Sequence, residues 1–519
     1  MRVSGPVKRT ASLVLAGTIG VLAPGVVSPV LADQSGWKPP EVDMSMLPDD
    51  NDGEPLQTNE LTTECIQASN DRSKGDIVQK TPWGQQYLQL EKVHRIVKDE
   101  REGVGLGEDG DPMTVAVIDT GVSEHRWLDV EPGGDYVNDE EDTPPGLKDC
   151  DGHGTLVAGI IAADTPEHIG FQGVAPQAEI FSVRQSSGNY KESEDDDSSD
   201  DGSGDSEGGD SEGGDSEGGD SGGDSEGDDG SKPNGTPAQK EPGQDKGVGD
   251  LGTLARAVRF AAEEDSVDVM NISIDNCNPV GSTQSKKMQE LHAAVHWAVN
   301  KQDVVVVASA GNTGEMCKQN TELEPRTIVA PPWFDEDVLT VGAIDSNGSV
   351  ANFSMHGPWV DVAAPGTEIL SLDPASKAQG LANRVINKGK PTEIEGTSYA
   401  APYVSGIAAL VRSVYPNLDA KEVMQRIKNT AQHPASPGGH SQYTGYGVVN
   451  PVAALTTTGV TQAGNQSSSG PVRADLPDPV HRNWTPVIVA VSGTGGALLA
   501  LLITLFTVHT IRRNRGQNS

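Results

Sequence analysis

Four short stretches of this 519-residue chain hold side chains that could act together on an acyl group. Val115-Ala116-Val117-Ile118-Asp119-Thr120-Gly121 ends an apolar run on a carboxylate, and Asp151-Gly152-His153-Gly154-Thr155 sets an imidazole between two glycines. Gly396-Thr397-Ser398-Tyr399-Ala400-Ala401-Pro402 carries a hydroxyl, and Val307-Ala308-Ser309-Ala310-Gly311-Asn312 ends a second apolar run on a side-chain amide. A serine hydroxyl is a weak nucleophile until a neighbouring imidazole takes its proton. The imidazole in turn needs a buried carboxylate on its other nitrogen to fix its tautomer. An amide beside the serine's own backbone N–H can stabilise the oxyanion that forms. Asp119, His153, Ser398 and Asn312 are therefore the candidate catalytic residues.

Groups so distant in sequence meet only if strand ends and helix starts gather at one edge. Thr114–Ile118, Glu179–Arg184, Val267–Ile274, Asp303–Ser309 and Val338–Ile344 read as short buried strands. Periodicity predicts helices over Pro82–Glu100, His153–Ala163, Leu251–Glu264, Gln284–Asn300, Ser398–Tyr415 and Asp419–Thr430. Their alternation predicts a parallel sheet covered by helices on both faces, with its site at the carboxyl edge. His292 and His296 share a helix face as in a zinc protease, but Ala293 stands where the catalytic glutamate would be, so that chemistry fails.

In this order and context the four motifs resemble those of the subtilases, the subtilisin-like serine peptidases. Val360–Gly366 and Gly445–Pro451 extend the likeness, which runs from about residue 82 to 455. The resemblance implies an α/β, three-layer fold around a central parallel sheet. It also implies hydrolysis of protein or peptide substrates; no cofactor is required, and no residue is assigned to a metal. Ser273, Ile274 and Asp275 would line one side of the substrate cleft, and Ser309, Ala310 and Gly311 the other. A signal-like N-terminus, a short extension ending in Pro82-Trp83-Gly84 and four cysteines are joined by a Pro-containing stalk and one apolar C-terminal stretch followed by basic residues. This overall layout is similar to that of the mycosins, membrane-anchored proteases of actinobacterial type VII secretion systems. That likeness implies a secretion membrane complex as partner and an actinobacterial host. The competing expectation is a structural subunit of such a complex, with its peptidase activity dispensable or occluded.

Four cysteines allow three pairings. Cys277 and Cys317 each follow a strand expected to neighbour the other at the site edge, so they should pair. Cys65 is left for Cys150, an arrangement the mycosins resemble. The extension over residues 33–81 would then wrap the catalytic domain at residues 82–455.

The net charge is −38, and residues 192–230 hold 18 acidic and no basic residues. This balance excludes nucleic-acid binding, which needs basic surface. The acidic segment repeats Asp-Ser-Glu-Gly-Gly and has nothing apolar to bury, so it is expected to be a disordered insertion. Residues 1–32 read as a secretory signal, with Arg2, Lys8 and Arg9 before an apolar run and Val30-Leu31-Ala32 at its end. Residues 456–483 read as a flexible stalk. Val487–Val508 carries no charge over 22 residues, enough for a membrane helix expected over 486–510. Arg512, Arg513 and Arg515 in the basic tail 511–519 put the C-terminus in the cytoplasm and the catalytic domain outside a cell membrane.

Overall fold

The computed structural model describes residues 37–69, 79–138, 143–193, 247–282, 284–315, 317–321, 325–375, 380–387, 390–434, 436–458 and 500–510. It forms two compact units, Met1–Thr461 and Gln462–Ser519. The first unit begins with two short strands, β1 (Asn59–Leu61) and β2 (Gln67–Ser69), then helices α1 (Trp83–Tyr87) and α2 (Leu90–Glu100). There follow β3 (Thr114–Asp119), β4 (Val130–Asp135), α3 (His153–Ala162), β5 (Glu179–Arg184) and β6 (Tyr190–Glu192). Next come α4 (Leu251–Glu263), β7 (Val267–Ile272), β8 (Asn276–Pro279), α5 (Lys286–Lys301), β9 (Val305–Ser309) and β10 (Thr327–Ala330). After β11 (Leu339–Ile344) and β12 (Val362–Pro365), four short strands follow: β13 (Ser371–Leu372), β14 (Leu381–Ala382), β15 (Arg384–Asn387) and β16 (Lys390–Glu393). Helices α6 (Thr397–Val414), α7 (Ala420–Thr430) and α8 (Pro451–Thr456) close the unit.

Seven strands form one sheet in the order β12-β11-β9-β7-β3-β5-β4, and every pairing within it is parallel. Every residue of β3, β9 and β11 is buried, as expected of strands covered on both faces. From β3 the chain runs out to the edge strand β4, returns through α3 to β5 between them, and then passes β3 through α4 to reach β7. Both of these crossovers run the same way along the sheet, away from the β4 edge, with α3 on one face and α4 with α5 on the other. Accordingly α4 packs on α5, and α3 on α6. The turning point of the topology lies between β3 and β7, and ligand crevices open there at the strand C-termini.

Several elements differ from the sequence expectation for local reasons. Helix Pro82–Glu100 is broken, because Gln89 is left-handed (φ 55°) and redirects the chain between α1 and α2. Strand Val267–Ile274 stops at Ile272, so Ser273, Ile274 and Asp275 leave the sheet at its site edge. Two edge strands were not foreseen: β4, which contains Pro132, Gly133 and Gly134, and β12. Glu192, taken as the start of the acidic insertion, belongs to β6.

The extension lies along the domain over its described length. The Trp37 carbonyl accepts from Trp333 Nε1, and β1 pairs antiparallel with β6. The Ile66 N–H donates to the Cys150 carbonyl (2.8 Å), and β2 joins β15 and β16 in a three-stranded sheet. The disulfides join Cys65 to Cys150 and Cys277 to Cys317.

In the second unit residues 500–510 are helical. Among the described residues no helix is long and apolar enough to cross a membrane. The rest of the span expected over 486–510 lies outside the described residues. So do the signal at 1–32, the acidic repeat from residue 194, the stalk from residue 459 and the tail 511–519.

His292 is buried and stacked on Phe334 at 4.3 Å between ring centroids. Burial holds its imidazole down to about 4, so it is neutral in the fold at neutral pH. The unfolded chain takes up that proton near pH 6.5, so this stability is present above pH 6.5 and lost as pH falls toward 4. Replacing His292 with Phe should shrink the stability lost between pH 7 and pH 4.5 by about 1–3 kcal/mol. Urea unfolding at the two pH values measures this. An equal loss in both proteins would contradict it.

Candidate active site

Asp119 ends β3 with no exposed surface, and His153 opens α3. His153 Nδ1 lies 2.7 Å from Asp119 Oδ1. A carboxylate only accepts, so Nδ1 carries the proton and Nε2 is left basic. Asp119 Oδ1 also accepts from the Thr120 N–H at 2.8 Å. The residue before His153 must turn sharply to start the helix, and Gly152 does so in the left-handed region (φ 76°). A Cβ there would also meet Ile66 Cγ2 at 2.6 Å and Pro374 Cγ at 2.9 Å. The extension therefore packs directly beside the imidazole's own loop.

Ser398 sits in the first turn of α6, whose side chains are buried along most of its length. The Tyr399 ring lies 5.0 Å from the His153 ring, which brings the start of α6 against the imidazole. Pro402, four residues on, has no N–H to give the Ser398 carbonyl. Ser273 Oγ supplies that missing donor at 2.8 Å. Asn271 Nδ2 donates to Ser273 Oγ (2.8 Å), and Ser405 Oγ donates to Asn271 Oδ1 (2.8 Å). A buried chain of polar groups thus fastens the serine's helix to the end of β7.

Asn312 follows β9. Its Oδ1 accepts from the Thr397 N–H (3.0 Å) and Oγ1 (3.2 Å), which fixes the amide's orientation. Nδ2 is then turned toward the serine. A Cβ placed on Gly396 would lie 2.9 Å from Ser398 Oγ and 3.6 Å from Asn312 Nδ2, so both atoms border the same small space. A base paired to a carboxylate, a hydroxyl at a helix start and an oriented amide donor can together support acyl transfer.

The six residues expected to line the cleft are all near this edge, in different surroundings. Ser273 is fully enclosed in its bond to Ser398, and Ala310 is enclosed, donating its N–H to Val341 O (2.9 Å). Ser309 is buried at the end of β9. Ile274 and Asp275 lie at the edge of burial, and a Cβ on Gly311 would meet Asp275 Oδ2 at 2.9 Å. Asp275 also clusters with Cys277 and Cys317. Those two sulfurs are bonded to each other, so neither is a thiolate ligand for a metal. Sequence reasoning gave no role to Thr397 and Thr120, which stand inside the motifs, or to Asp149, and these three hold the site from behind. Their signal is position alone: each lies within four residues of Asp119, His153 or Ser398.

A family model described as the subtilase family matches residues 110–447. Mycosin-4 of Mycobacterium tuberculosis is 35% identical over 528 residues, covering 98% of this chain and 98% of the relative. The crystal structure of MycP1 from Mycobacterium smegmatis is 32% identical with a TM-score of 0.63, covering 84% of this chain and 100% of that one. A chain in the structure of an intact ESX-5 inner membrane complex is 32% identical with a TM-score of 0.63, covering 91% of this chain and 99% of that one.

Removing the oriented amide should slow the chemical step without weakening substrate binding. In a subtilisin, loss of this donor costs about 10²–10³ in kcat, and Asn312→Ala is expected to fall in that range with KM within about twofold. Steady-state hydrolysis of a peptide substrate reads both. An unchanged kcat would remove Asn312 from the oxyanion site.

Proposed function

The chain belongs to the subtilase family of serine peptidases, and on that premise we propose an extracytoplasmic endopeptidase tethered to the cell membrane. Ser398 is its nucleophile, His153 its general base and acid, Asp119 the group that orients His153, and Asn312 an oxyanion donor. The observation that carries this reading is the 2.7 Å bond from His153 Nδ1 to buried Asp119, set against the start of the Ser398 helix. His153 Nε2 takes the Ser398 proton as Oγ attacks the peptide carbonyl. The charge forming on the carbonyl oxygen meets Asn312 Nδ2 and the Ser398 N–H. His153 then gives its proton to the leaving amine, and water, activated in the same way, releases the acyl group.

The tether rests on the uncharged stretch Val487–Val508 and the arginines after it, and export rests on the N-terminal signal pattern. Likeness to a chain of the ESX-5 inner membrane complex supports a second role, as a subunit of a type VII secretion membrane complex. In that role the folded domain matters apart from its chemistry.

Ser398→Ala separates the two roles. Its side chain loses only a hydroxyl, so stability should fall by at most about 1 kcal/mol. Peptide hydrolysis should fall by about 10⁶, the loss seen when a subtilisin loses its serine. Secretion by cells carrying this variant as their only copy should be largely retained. Undiminished hydrolysis by the purified ectodomain would sink the catalytic assignment. Lost secretion at normal protein levels would sink the structural role.

A further inference from the structure

We propose that Asp149 is a positioning residue for the Asp119–His153 pair, acting by capturing the Thr120 hydroxyl proton that would otherwise fall on Asp119. The proposal rests on the reading of Asp119 and His153 as the acid–base pair.

Asp149 is buried four residues before His153, and its carboxylate gathers donors from both halves of that pair. Oδ1 accepts from the Gly152 N–H (2.7 Å) and from Thr120 Oγ1 (2.8 Å). Oδ2 accepts from the Thr155 N–H (2.8 Å) and from Thr155 Oγ1 (2.6 Å). Helix α3 has no side-chain cap on Gly152, and Asp149 does that work from outside the helix. Because Thr120 follows Asp119 directly, one carboxylate ties the end of β3 to the start of α3.

The Thr120 hydroxyl is the point of choice. It has one proton and two carboxylate oxygens in reach, Asp149 Oδ1 at 2.8 Å and Asp119 Oδ1 at 3.3 Å. Its oxygen also accepts from the Gly154 N–H at 3.0 Å. The shorter bond runs to Asp149. Asp119 Oδ1 already accepts from His153 and from the Thr120 N–H. A third donor there would dilute its charge, weaken its hold on the imidazolium and lower the basicity of His153. With the hydroxyl committed elsewhere, Asp119 keeps its charge for His153.

The charged groups around Asp149 fit this arrangement. Asp119 faces it from β3 and His153 from α3. Asp151 lies two residues on and is bonded away from it, to Ser187 Oγ (2.5 Å) and the Gly188 N–H (2.9 Å). Arg184 on β5 pairs with Asp135, and Lys148 lies over the Tyr190 ring. Burial pushes the Asp149 carboxyl up to about 7 against the pull of its hydrogen-bond donors.

The test is the acid limb of kcat against pH, which reports His153 in the substrate complex. If the hydroxyl serves Asp149, Thr120→Val should leave that limb within about 0.2 pH units of wild type. An upward shift of about half a unit or more would mean that the hydroxyl serves Asp119, which overturns the proposal. Asp149→Ala frees the hydroxyl to turn to Asp119. It should move the limb down by about half a unit or more and lower kcat several-fold, with KM within about twofold. Adding Thr120→Val to Asp149→Ala should return the limb to near wild type. A downward shift that persists in the double variant, or a loss of melting temperature with the limb unmoved, would overturn the proposal. If Asp149→Ala does not fold, Thr120→Val alone still decides. A wild-type profile with no acid limb would instead count against the assignment of His153 itself.

Discussion

The arrangement of this molecule follows from holding one carboxylate, Asp119, out of contact with water while keeping it charged. A buried carboxylate without partners costs several kcal/mol, so donors must be brought to it. Strand β3 has neighbours on both sides and is buried along its length, which leaves its C-terminal end as the place where donors can arrive. The Thr120 N–H is one, and His153 is the other. For the imidazole to reach, α3 must start almost in contact with the strand end. A Cβ on Gly154 would lie 3.1 Å from Asp119 Cβ, so the glycine after His153 is a packing requirement. Asp149 then ties the two sides together behind the pair.

The serine side solves a different problem, which is rigidity rather than charge. Pro402 interrupts the hydrogen bonding of α6 one turn after Ser398, and the freed carbonyl is claimed by Ser273 at the end of β7. Thr397, the residue before the serine, holds Asn312 at the end of β9. The helix carrying the nucleophile is thereby fixed to the C-terminal ends of two neighbouring parallel strands. Both links tie α6 to the carboxyl edge of the sheet, so the reactive groups inherit the precision of the sheet. The disulfide between Cys277 and Cys317 joins the segments leaving the same two strands.

What could be read from the chain beforehand was whatever has a short-range signature. Strand β9 (Val305–Ser309) falls within the stretch Asp303–Ser309 that composition suggested, because a doubly covered strand is almost wholly apolar. Strand β4 was invisible because an edge strand tolerates Pro132, Gly133 and Gly134 and shows no alternation. The break at Gln89 was equally hidden, since periodicity continues on both sides of one left-handed residue. The motif residues announced themselves by type, but their supports did not. Asp149 and Thr120 meet across 29 residues, Ser273 and Ser398 across 125, and a local pattern carries no record of such partners. Ser273 shows the consequence: family likeness puts it beside the substrate, while its hydroxyl is spent on the backbone of the nucleophile.

The central claim is that the Asp119–His153 pair makes Ser398 a nucleophile, and a serine-directed fluorophosphonate tests it without knowledge of the natural substrate. The purified chain should take up one equivalent, and peptide mapping should find the adduct on Ser398. Labelling should weaken as pH falls and His153 becomes protonated. An unlabelled folded protein, or an adduct on another serine with Ser398 unmodified, would contradict the account.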